Sequence, residues 1–143
     1  DGNAVVITWD VDFNAMSGGA FNLENLANAG GPGRQGGHMT VLADYEAITN
    51  SFGTLEAGVT LDEQDPDYAD KVDELMSSST EVVYFRTKNS WGTRDGEPLG
   101  FHQLYLDYLD GPIKFCPGTD NPSEDNCTGE SNPWRDSMLP PGY

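Results

Sequence analysis

The chain has 143 residues, 36% hydrophobic and 10% aromatic, which is one domain's length with enough apolar material for a core. Twenty-four acidic residues against seven basic give a net charge of −17. The seven cations, Arg34, Lys71, Arg86, Lys88, Arg94, Lys114 and Arg135, form no stripe, so nucleic acid and anionic membrane are poor partners. No apolar run approaches the ~18 residues of a membrane span, and a start at Asp1 with neither Met nor a basic leader reads as a trimmed chain.

In chain order, residues 4–9 are short and β-branched and predict a buried strand. Residues 13–37 read as irregular, with one helical turn at most, apolar anchors at Phe13, Met16, Phe21, Leu23 and Leu26, and a flexible glycine run over 30–37. That run has no Lys-Ser/Thr pair and leads into a strand, so it is no phosphate loop. Strand composition returns at 39–45 and at 82–88. Between them, Asp65-Pro66 predicts a helix N-terminus, and Ala69, Val72, Leu75 and Met76 recur at helical spacing until Ser77. The acidic residues Asp62, Glu63, Asp65, Asp67, Asp70, Asp73 and Glu74 lie here; lacking a calcium-loop signature, they predict a solvated acidic face and no metal site.

Residues 99–105 predict a fourth strand, in which His102 reads as an ordinary exposed or half-buried side chain, and 112–115 a short fifth. Beyond Cys116 the periodicity fades into a loop-rich tail, 116–143. Cys116 and Cys127, eleven positions apart, predict a disulfide worth about 3 kcal/mol on the loop-closure estimate, and with it an oxidising, extracellular or periplasmic setting. The alternative is two free thiols in a reducing compartment. The whole reads as α+β and mainly β, one domain over 1–115 with an acidic helical insertion at 46–81.

One stretch carries chemistry. Lys88-Asn89-Ser90-Trp91-Gly92 directly follows the Val83-Tyr84-Phe85 strand. Upstream, Gly36-Gly37-His38 opens a strand that reaches Tyr45. Phe13 and the turn Ser17-Gly18-Gly19-Ala20-Phe21 follow the first strand, and Gly92-Thr93 leads through an acidic turn to Gly100-Phe101. In this order the four pieces resemble the papain-like cysteine peptidases, over about residues 4–105; the aromatic stretch Tyr105-Leu106-Asp107-Tyr108-Leu109 is similar to the bleomycin hydrolase branch.

The resemblance implies the antiparallel, barrel-like half of that fold, with His38 as general base, Asn89 as its orienter and Trp91 as the shield of their contact. Such an imidazole lowers the pKa of a neighbouring thiol and later protonates the leaving amine. An Asn amide oxygen fixes the ring without adding charge. The family's nucleophilic Cys and oxyanion Gln precede the His on a helical half absent from these 143 residues. Cys116 and Cys127 follow Asn89 and cannot replace that nucleophile, the connection from Tyr45 to Val82 is longer than usual, and Arg94-Asp95 stands where a second Trp is common.

The resemblance therefore implies no turnover by this chain alone. It implies a peptide or protein substrate, no cofactor, and a Cys-bearing half or other protein chain as partner. The alternative is a non-catalytic papain-like module that binds or builds a secreted assembly.

Overall fold

The computed structural model describes residues 5–91, 100–111 and 134–138. Among the described residues, eight strands form one curled, half-barrel sheet. They are β1 (Val5–Asp12), β2 (Met16–Ser17), β3 (Ala20–Phe21), β4 (Gln35–Thr49), β5 (Gly53–Leu55), β6 (Glu81–Lys88), β7 (Phe101–Tyr105) and β8 (Trp134–Met138). Three short α-helices, α1 (Leu23–Asn28), α2 (Tyr68–Leu75) and α3 (Leu106–Leu109), and one 3-10 turn at Phe13–Ala15 accompany them among the described residues. The strand order is β2-β3-β7-β6-β4-β1-β8, with β5 added to β4. Every pairing is antiparallel except β3 with β7. The expected α+β, mainly β class is what the chain adopts.

The expected strands all exist where they are described, but β4 is twice the length foreseen. Its first half pairs with β1 and its second with β6 and β5, and register shifts at Leu42/Asp44 and Glu46/Ala47 let one strand bend between these partners. Residues 46–49, expected to open the insertion, thus continue the sheet.

The glycine run before β4 is not slack. Asp12, fully buried at the end of β1, accepts hydrogen bonds from Asn14 N (3.0 Å), Gly33 N (3.0 Å) and Gln35 Nε2 (2.9 Å). Phe13 N donates to Arg34 O at 3.0 Å, tying the two chains together. A buried carboxylate is tolerable only with such donors, and here they fix the entry into β4.

Gly18 and Gly19 (φ 58° and 84°) form the two-residue turn between Ser17 and Ala20, where both central residues need the left-handed region.

The helix α2 begins two residues later than Asp65-Pro66 suggests. Asp65 Oδ1 instead accepts from Asp67 N at 2.8 Å, closing a side-chain turn ahead of the helix, and Asp65 Oδ2 meets Lys71 Nζ at 2.6 Å.

The core collects Ile7, Trp9, Val11, Ala15, Phe21, Leu26, Leu104, Tyr108 and Leu109. The α3 helix is clipped to β1 by one phenol: Asp12 N donates to Tyr108 Oη, and Tyr108 Oη donates to Asp10 O, both at 2.8 Å. The tail, expected as loop, contributes β8, which pairs with β1. The expected strand at 112–115 and both Cys116 and Cys127 lie outside the described residues. Among the described residues, no helix is long and apolar enough to cross a membrane.

Candidate active site

Three strands converge on His38. It sits on β4 directly opposite Trp9 of β1 in the antiparallel ladder. On the other side of β4 runs β6, with Lys88 opposite Val41, so the residue after β6, Asn89, emerges beside the start of β4. Asn89 N donates to Gly100 O at 3.0 Å, which holds the chain end in place.

Sheet pairing thereby closes a gap of 51 residues, and His38 Nε2 lies 3.0 Å from Asn89 Oδ1. The amide orientation has independent support: Trp91 N, an obligate donor, lies 3.3 Å from the same Oδ1. The oxygen therefore accepts twice, and His38 Nε2 must carry the hydrogen. Nδ1 is left with its lone pair.

Aromatic rings enclose the pair. Trp91 stacks on the imidazole with centroids 4.4 Å apart and planes 20° from parallel. Trp9 stands across it at 5.7 Å and 68°. Phe13 stacks on Trp91 at 5.7 Å, and His102 meets Trp91 nearly edge-on at 5.8 Å. Asn89 is only 4% exposed, while His38 is half-buried. Burial pushes the His38 imidazole below its ordinary 6.5, and the hydrogen bond to Asn89 opposes this in part. At neutral pH the ring is thus neutral and its Nδ1 is free to take a proton.

His38, Asn89 and Trp91 are brought together as one constellation. His102 differs from expectation: it is 1% exposed, on the core face of β7 beside Leu104, with its ring 5.8 Å from Phe21. The alternation of β7 is as read, but its buried face is the one carrying His102, because that face looks onto the core.

Sequence reading also passes over Trp9 and Thr40, whose side chains are hydrogen-bonded to each other at 3.2 Å beside His38. Nothing local marks them, since their proximity depends on the β1–β4 register. Among the described residues no group of three or more His, Cys, Asp or Glu is placed to hold a metal ion. No family model, curated protein or solved structure matches this chain, so the site is read from its own geometry.

Proposed function

We propose that this chain is the His/Asn-bearing part of a papain-like cysteine peptidase, whose thiol comes from a Cys-bearing segment or partner chain packed against His38. The observation that carries the reading is the 3.0 Å contact of His38 Nε2 with Asn89 Oδ1 beneath the Trp91 ring. It leaves Nδ1 as the one basic atom of the pair.

A thiol placed there transfers its proton to Nδ1, and the thiolate and imidazolium stabilise each other. The sulfur attacks a peptide carbonyl, and the imidazolium protonates the departing amine as the C–N bond breaks. Water then attacks the thioester, giving its proton to Nδ1. The acid is released and the proton returns to sulfur. Asn89 holds the ring through both transfers, and Trp91 keeps water from competing for the Nε2 hydrogen bond.

A second reading, a non-catalytic module for a secreted assembly, is favoured by the exposed aromatic surface at the site, where Phe13, stacked on Trp91, is 40% exposed.

Both are tested on protein recovered from its source with the chains that accompany it, using a biotinylated epoxysuccinyl peptide that alkylates activated thiolates. The peptidase reading expects one labelled Cys, with labelling reduced about a hundredfold or more in His38→Ala. A stable complex in which no thiol is labelled, or in which labelling ignores His38, sinks it and leaves the binding module.

A further inference from the structure

Three contacts define where an imidazole sits. The hydrogen bond to Asn89 fixes one atom, Nε2. Stacking on Trp91 fixes the tilt of the ring, but a stacked pair slides in its own plane at little cost, because offset geometries differ little in energy. The ring is also bonded through Cβ to β4, so what these contacts leave is a small coupled change of its two side-chain torsions, and that swing moves Nδ1, the atom that exchanges the proton. Productive geometry for proton transfer tolerates only small displacements.

The third contact is Trp9, whose ring plane crosses that of His38 at 68° with centroids 5.7 Å apart. It packs against the ring from the neighbouring strand and forms a wall on that side. Trp9 is itself enclosed on several sides. It is fully buried, its ring meets Phe21 at 5.0 Å and Tyr108 at 6.1 Å, both close to perpendicular, and its Nε1–H donates to Thr40 Oγ1 at 3.2 Å.

Thr40 is also buried and lies on β4 two residues beyond His38, on the same face of the strand. The indole is therefore anchored to the very strand that carries the imidazole. Trp9, His38 and Thr40 make a closed cycle across the β1–β4 ladder, so a shift of one strand cannot open the gap between wall and ring.

We propose that Trp9, held by Thr40, is a positioning residue that restricts the swing of the His38 imidazole and so fixes Nδ1. The catalytic consequence rests on the peptidase reading above; the mechanical claim does not.

The test reads the ring rather than activity. The chain has two histidines, so a long-range ¹H–¹⁵N spectrum of the imidazoles reports His38 directly and His102 as an internal control. In the parent protein, His38 gives the pattern of a single Nε2–H tautomer with ring protons shifted by Trp91. Thr40→Val keeps the side-chain volume but removes the acceptor, and Trp9→Phe shortens the wall. Either is expected to weaken the NOEs from the His38 ring protons to Trp91, while the Nε2–H pattern, set by the Asn89 hydrogen bond, and His102 stay in place. Thr40→Ser, which keeps the acceptor, retains the parent pattern.

An unchanged His38 in both Thr40→Val and Trp9→Phe overturns the proposal. So does a joint shift of His38 and His102, or failure of both variants to fold, since either marks Trp9 as general packing. Loss of thiol labelling in the assembled protein would remove the peptidase reading and leave these spectra as they are.

Discussion

Asn89 sets the chemistry of its neighbour through one oxygen. Oδ1 accepts from His38 Nε2 and from Trp91 N, while Nδ2 is buried with no hydrogen-bond partner among the described residues.

Replacing the amide by a carboxylate, Asn89→Asp, keeps the acceptor and adds an anion beside the ring. The His38 midpoint, below 6.5 in the parent protein, is expected to rise above it, as followed by NMR titration. The sign for stability follows. A lowered folded-state pKa means the unfolded chain takes the proton first, so the parent loses stability as pH falls from neutrality through 6.5 to the folded-state value. With Asn89→Asp the contribution reverses: it is present below 6.5 and lost as pH rises through the raised pKa. Denaturant titrations across that window check both.

At this scale His38, Asn89 and Trp91 were legible because each lies in a short local motif. Trp9 was not, because only the pairing of Trp9 with His38 gives it meaning.

Among the elements, β4 does most of the positioning. Its entry is pinned by the buried Asp12 and its first half carries His38 and Thr40. Its far end, Ala47–Thr49, receives β5 opposite Leu55–Gly53. The short α3 is held just as specifically. Burial drives the Tyr108 phenol far above its ordinary pKa, so the hydroxyl stays protonated and bridges Asp12 N and Asp10 O.

Tyr108→Phe leaves both backbone groups buried without that partner and is expected to cost about 1–3 kcal/mol in chemical denaturation. Loss of a ring contact alone would leave stability nearly unchanged, since Phe keeps the ring.

Element existence was readable from β-branched runs and from helical spacing at 69–76. Element ends were not. The Asp65 side chain captures Asp67 N and Lys71, which delays α2, and long-range pairing with β1 draws Gln35–Gly37 into β4.

Across the whole molecule, the −17 charge is unevenly placed. Nine acidic residues against Lys71 alone lie between Glu56 and Glu81, on the segment bearing α2 and the turn that precedes β6. This segment leaves the end of β4, eleven residues from His38, and comes back along it only as far as Asp44, whose Oδ2 accepts from Gly58 N, six residues from His38 or roughly 20 Å of extended strand. That distance is more than twice the screening length of about 8 Å at physiological salt. Its apolar side packs locally: Phe52, Leu55, Leu61, Leu75 and the stem of Lys71 line a cavity of about 180 Å³ between the β4–β5 hairpin and α2.

Since Ile48 faces Glu81 in the β4–β6 ladder, replacing residues 50–79 by Asn-Gly closes a tight hairpin in the existing register. The shortened chain is expected to fold and to keep the His38 titration of the parent. A displaced His38 midpoint would show that the acidic segment acts on the site.

By itself the sequence determined the mainly β class, the strand-forming runs and the three residues of the His38–Asn89–Trp91 constellation, because propensity and short motifs are local properties. Only the tertiary structure decided that His102 faces inward, that the glycine run is pinned to Asp12, that residues 134–138 join β1, and that Trp9 walls in His38. Alternation along a strand says which residues share a face. Which face is buried, and which residue stands opposite on the next strand, depend on long-range pairing and on what the sheet packs against.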